Sequence, residues 1–123
     1  MIFGIGTDII EVDRIRDAVD KYGKRFRDRI FTEQEQEYCE SFHDNKYLHY
    51  AARFAAKESF SKAIGTGLTK GFKFSEVEVR NESNGKPLVK LYGDTAEKYG
   101  AYIIHISLSH TAGNAVAYII LEI

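Results

Sequence analysis

The sequence holds one cysteine, Cys39, one proline, Pro87, and no tryptophan. A lone cysteine excludes an internal disulfide and fits a reducing compartment. A single proline, with ten glycines spread over 123 residues, leaves no room for a long disordered linker. Excess charge is missing too: 17 basic against 18 acidic residues give a net charge of −1, whereas general nucleic-acid binders are strongly basic. Long apolar runs are also lacking. The apolar opening from Met1 ends at Glu11, is too short to span a bilayer and carries no basic leader. The chain is therefore expected in the cytoplasm, with neither a membrane nor nucleic acid as partner.

What is present is ordinary globular composition, 44% hydrophobic and 28% charged, in a length that makes one domain over residues 1–123. The charge is patterned. Between Val12 and Ile30 stand seven Arg or Lys against four Asp, while Thr32 to Asp44 carries five acids and no Arg or Lys. A basic face on a near-neutral chain suggests one acidic partner.

Alternation from Ile2 to Asp8 predicts an opening strand, with Gly4 and Gly6 on one face for close approach. Val12, Ile15, Val19 and Tyr22 predict a helix stopped by Gly23. Thr32 and Glu35 make a capping box for a short helix through Tyr38, Cys39 and Phe42. A longer helix is predicted from Leu48 to Ile64, ended by Gly65, before a loop with Thr66, Gly67 and Gly71. Strands follow around Val77–Val79 and Leu88–Leu91, joined across Asn84-Gly85, then a helix capped by Asp94 and Glu97. Ile104, Ile106 and Leu108 alternate with His105, Ser107 and Ser109 in a strand that turns at Ala112-Gly113-Asn114 into a last apolar strand. Adjacent strand pairs with helices between them indicate α+β, a mainly antiparallel sheet packed against helices.

The long helix has small residues on two sides, Ala52 and Ala56 on one, Ala51 and Ala55 nearly opposite, so it is expected to be sandwiched. Glu58 then points into a crowded place, which is costly unless a cation is there. It either pairs with Lys62 one turn on or helps to hold a metal ion. Asp8 either caps the next helix or joins Glu58; Mg²⁺ takes one or two carboxylates together with water and phosphate oxygens. Lys57, Lys62 and the loop beginning at Gly65 could receive a diphosphate, although Gly65 also reads as a plain helix stop. Ser109, His110 and Thr111 at a strand end could hold an anion or close a turn. A serine–histidine hydrolase is disfavoured, because neighbouring strand residues point apart and no G-x-S-x-G elbow is present. His43 and His49 have no zinc-ligand spacing with Cys39 and read as surface or satisfied histidines.

In order along the chain, Gly4-Ile5-Gly6-Thr7-Asp8-Ile9-Ile10-Glu11, Arg53-Phe54-Ala55-Ala56-Lys57-Glu58-Ser59-Phe60-Ser61-Lys62-Ala63, Gly65-Thr66-Gly67, Asn84-Gly85-Lys86-Pro87 and Ser107-Leu108-Ser109-His110-Thr111 resemble the holo-acyl-carrier-protein synthases, the small bacterial class of 4′-phosphopantetheinyl transferases. Ser59 and Ala52 depart from the residues common there, and Asp28 interrupts the basic stretch.

The resemblance implies that family's fold and a Mg²⁺-dependent transfer of phosphopantetheine from coenzyme A to a serine of acyl carrier protein, in support of fatty acid biosynthesis. By the same resemblance Asp8 and Glu58 would hold Mg²⁺, and Lys57 and Lys62 would sit near the diphosphate beside Gly65. Arg53 would bind coenzyme A, and His110, flanked by Ser109 and Thr111, would receive the ribose 3′-phosphate. Gly85 and Pro87 would line the pantetheine arm, and Arg14, Lys21 and Arg25 would meet the carrier. Glu58 would accept the serine proton directly or orient a metal-bound hydroxide, with Lys62 sharing the catalytic role. A homotrimer is also implied, Asp8 and Glu58 coming from one protomer and His110 from the next. Two rivals remain, a binding module for an acidic helix and a nucleotide-binding regulator without turnover.

Overall fold

A computed structural model of the chain describes residues 1–65 and 72–123. Strand β1 (Ile2–Glu11) leads into helix α1 (Val12–Ile30), the short α2 (Glu33–Glu40) and the long α3 (Lys46–Ile64). A hairpin of β2 (Val77–Asn81) and β3 (Pro87–Leu91), helix α4 (Gly93–Tyr99), β4 (Ile103–His110) and β5 (Asn114–Glu122) complete the order. All observed pairings are antiparallel, in two sheets: three strands ordered β1-β5-β4, and the separate β2-β3 hairpin. Among the described residues no helix is long and apolar enough to cross a membrane.

Helix α3 is the axis of the molecule. Ala51, Ala55, Ala56 and Phe60 are fully buried, and the helix is packed between the three-stranded sheet and α1, α2 and β2, as its two small-residue faces require. The tightest approach is to β1. A β-carbon at Gly4 would collide with the Ala63 carbonyl, and one at Gly6 with the Ser59 carbonyl. Ser59 further ties α3 to β5, donating to the Ala117 carbonyl at 3.0 Å.

Three local expectations are corrected. Gly23 does not end the first helix: it is one non-helical residue (φ 60°, ψ −139°), after which α1 resumes to Ile30. Glycine takes that angle without a β-carbon clash, and the second segment packs Phe26 and Ile30 onto the core. Helix α2 ends at Glu40, before Phe42, although its Thr32–Glu35 capping box forms as expected. Asp94 does not cap α4, whose N-cap is Tyr92 without a side-chain bond; Glu76 from outside the helix instead accepts from Thr95 Oγ1 at 2.8 Å.

Candidate functional site

Asp8 lies on β1 opposite Ala117 of β5, on the alternate face that holds Gly4, Gly6 and buried Ile10. Because Gly6 admits the Ser59 backbone, Glu58 is brought to the strand end that carries Asp8. Burial first, and the Asp8 carboxylate second, hold the Glu58 carboxyl above its usual value. Lys62 donates to Asp8 Oδ1 at 3.2 Å and to the Thr7 carbonyl at 3.0 Å. Its recorded ion pair therefore crosses from helix to strand and is not an i, i+4 pair with Glu58. Asp8 does not cap α1, whose N-cap is Glu11.

A second feature is a cleft of about 340 Å³ between the N-terminal half of α3, the turn of the β2-β3 hairpin and β4, lined by Arg53, His49, His110, Gly85 and Pro87, with Tyr38, Asn81 and Ser107. Among the described residues no carboxylate lines it. Arg53 is 2% exposed, stacks over the Tyr38 ring at 4.1 Å and donates from one terminal nitrogen to Asn81 Oδ1 at 2.6 Å. Its Nε is buried without a partner, a donor left for an incoming acceptor. Gly85 turns the hairpin at φ 90°, and Asn81 Nδ2 holds its carbonyl at 3.0 Å. Asn81 was not singled out in the sequence, and His49, which reads there as a surface or satisfied histidine, is part-buried and lines this cleft. The signal for His49 was its place one helical turn before Arg53.

Lys57 requires a correction. Its side chain has no solvent exposure and its ammonium is turned away from the Asp8 edge into the protein. There Nζ donates to Glu35 Oε1 at 2.7 Å, the Val77 carbonyl at 2.5 Å and the Phe74 carbonyl at 3.0 Å. With three acceptors an ammonium has no donor left for a diphosphate. Burial pushes its pKa down while Glu35 opposes the shift. Glu35 is completed by the Val79 and Thr32 amides.

The remaining expectations fall as follows. Ser109 is an exposed β4 residue outside the lining of the cleft, and Thr111 Oγ1 accepts from the Asn114 amide at 3.2 Å, closing the turn. Gly65 is a left-handed helix stop (φ 85°), while Thr66, Gly67 and Gly71 lie outside the described residues. Arg14, Lys21 and Arg25 are all exposed on α1, the break at Gly23 separating Arg25 from the other two. Arg25 lines a groove with Tyr22, Phe26 and Arg29.

The acid pair and the cationic cleft stand on opposite edges of the sheet, at β1 and β4, with β5 between them. Strand spacing alone separates those edges by about 10 Å. The sheet face away from α3 is apolar and open: Ile5, Ile9, Tyr118 and Ile103 are each more than half exposed. Such a patch marks an interaction surface.

The family model of the 4′-phosphopantetheinyl transferase superfamily matches residues 4–118. The chain is 51% identical over 122 residues to a holo-(acyl-carrier-protein) synthase of Ruminiclostridium cellulolyticum, covering 97% of this chain and 91% of the relative. It is 46% identical to one of Solibacter usitatus, covering 99% of each. Among solved structures it resembles a holo-(acyl-carrier-protein) synthase of Bacillus anthracis in complex with CoA (3′,5′-ADP), with TM-score 0.83 and 41% identity over 99% of this chain and 97% of that one. The synthase of Helicobacter pylori in complex with coenzyme A gives TM-score 0.85 at 28% identity, over 96% and 99% of the two chains.

Proposed function

The chain belongs to the 4′-phosphopantetheinyl transferase superfamily, and we propose that it transfers the 4′-phosphopantetheine arm of coenzyme A to a serine of apo acyl carrier protein, releasing 3′,5′-ADP. The observation that carries this reading is the meeting of Asp8, Glu58 and Lys62 at one sheet edge, with a carboxylate-free cationic cleft at the other.

In the reaction the serine hydroxyl oxygen attacks the β-phosphorus of coenzyme A and forms a new P–O bond. The bond from that phosphorus to the bridging oxygen breaks, its electrons leaving with 3′,5′-ADP, and the serine proton goes to the Glu58 carboxylate. In the metal-free chain burial first, and then the Asp8 carboxylate, hold that carboxyl above its usual value. The half-exposed Lys62 ammonium, anchored on Asp8, offers its charge to the diphosphate as negative charge builds on the leaving oxygen.

The two acids also fit Mg²⁺. Among the described residues no group of three or more His, Cys, Asp or Glu forms a closed cage, and Mg²⁺ is bound by one or two carboxylates with water and substrate phosphates for the rest. Asp8 and Glu58 would hold the ion, which when bound neutralises diphosphate charge. At the cleft, Arg53 and His110 take the ribose 3′-phosphate, with Ser109 and Thr111 beside the same strand end. Gly85 and Pro87 border the pantetheine arm, and Gly65 lies toward the diphosphate. Arg14, Lys21 and Arg25 present the basic face of α1 to an acidic helix of the carrier, which serves fatty acid synthesis in this reading. Cytoplasmic action goes with it, and the single cysteine, Cys39, is buried and unpaired.

We assign a homotrimer as the working assembly. The opposed edges support it, because one protomer's acid pair can then face the next protomer's cleft, and the open apolar sheet face supplies surface to bury. To test the activity, the purified protein is mixed with coenzyme A, Mg²⁺ and apo carrier, and the carrier is weighed by mass spectrometry. One added phosphopantetheine, lost when a chelator replaces Mg²⁺, is expected. No addition across several apo carriers overturns the reading.

A further inference from the structure

His49 is a cleft residue without a role in the reaction as described. His49 sits on α3 one turn before Arg53 and lines the same cleft as Arg53 and His110. Its ring is held from two sides: Phe42 stacks on it at 3.7 Å and 23°, and Tyr38 meets it edge-on at 5.6 Å. The imidazole is therefore ordered in place, not a loose surface side chain. Among the described residues the charged or titratable side chains facing it are Arg53 from α3, His110 from β4 and the Tyr38 phenol from α2, and no carboxylate lines that space.

We infer that His49 binds the terminal phosphate monoester of the nucleotide as an imidazolium, alongside Arg53 and His110, so that a 3′-phosphorylated nucleotide is bound together with a proton. The inference rests on the assignment of the cleft to the 3′-phosphate end of coenzyme A. A phosphate monoester is close to a dianion at neutral pH, and Arg53 with His110 leaves room for another charge-assisted hydrogen bond. In the free protein burial first, then the positive charges of Arg53 and His110, hold His49 below its usual 6.5. At pH 7.5 it is thus neutral before binding. A bound dianion reverses the balance of charge around the ring, and the Phe42 face accommodates the cation formed. The sign follows: the folded pKa rises on binding, so the contribution of His49 is full at low pH and is lost as pH rises through the value in the complex.

The test is calorimetric titration of the full chain with 3′,5′-ADP and with 5′-ADP, at constant Mg²⁺ and pH 7.5, in two buffers of different ionisation enthalpy. The difference between buffers counts the protons taken up. Wild type is expected to take up more protons with 3′,5′-ADP than with 5′-ADP. His49→Phe keeps the stack on Phe42 but should remove that extra uptake and lower the preference for the 3′-phosphate about tenfold. His49→Gln, which can donate a hydrogen bond but cannot titrate, should recover part of the preference without the uptake. If Arg53→Met abolishes the preference while both His49 variants match wild type in preference and uptake, the role of His49 is overturned and the cleft assignment stands. If wild type binds 3′,5′-ADP no better than 5′-ADP, or Arg53→Met leaves the preference intact, the cleft assignment fails and this inference fails with it.

Discussion

Glu58 is part-buried beside a second carboxylate, and both features hold its carboxyl above the usual value. The same shift that improves a base burdens the folded chain. With the folded pKa above the unfolded 4.5, the contribution of Glu58 to stability is complete below pH 4.5 and is lost as pH rises through the folded value. Glu58→Gln should therefore melt higher than wild type at pH 7 without metal, the gap closing below about pH 4.5, while transfer to the carrier falls at least about a hundredfold. Lys57, next in the chain, should behave in the opposite way. Lys57→Met strands Glu35 without its cation and should cost about 3–5 kcal/mol in denaturant unfolding. Adding Glu35→Gln should return part of that loss, and the KM for coenzyme A of the folded single variant should stay near wild type. A large rise in KM would return Lys57 to the diphosphate.

At the scale of elements, the site depends on how closely a helix and a strand can lie. Gly6 and Gly4 remove the β-carbons that would hold α3 off β1, and the resulting contact sets Glu58 beside Asp8. Gly6→Ala should destabilise by about 1–3 kcal/mol through overpacking and should also depress transfer, because α3 must move away from the strand bearing Asp8. Gly113→Ala, whose added carbon meets open space, is the control and should change neither urea midpoint nor activity appreciably. The hairpin is tied in by charge: Thr32 Oγ1 and Tyr92 OH both donate to Glu78, at 2.6 and 2.9 Å, beside Arg80. Burial alone would raise the Glu78 carboxyl, yet these bonds outweigh it and hold it low, so the tie weakens in acid.

For the whole molecule, the sheet leaves Ile5, Ile9 and Tyr118 exposed on one face, and the proposed assembly would bring the acid pair of one edge to the cleft at the other edge of a second copy. A mixing experiment reads this directly. Glu58→Gln and His110→Ala should each be inactive alone. Refolded together in equal amounts they should regain about a quarter of wild-type transfer, since one site in four then pairs an intact Glu58 with an intact His110. Sedimentation of the wild type should give three copies. No recovery on mixing, with mixed assembly demonstrated, would mean that each site is built within one chain.

Local chemistry was readable from the residues alone. The capping box at Thr32, the stop at Gly65, the glycine face of β1 and the alternation in β4 each follow from a few neighbours and a backbone preference. The order of motifs was enough to suggest the family. Three features were not readable, because they depend on partners distant in sequence. Helix α1 runs through Gly23 since Phe26 and Ile30 find a core beyond it. Lys57 turns inward because Glu35 and two carbonyls await it there, although the residue beside it faces Asp8. His49 becomes part of a cleft only when β4 and the hairpin close on α3. Periodicity states which side of a helix a residue occupies; only tertiary packing decides what stands on that side, and with it which charges are spent inside the protein and which remain for a ligand.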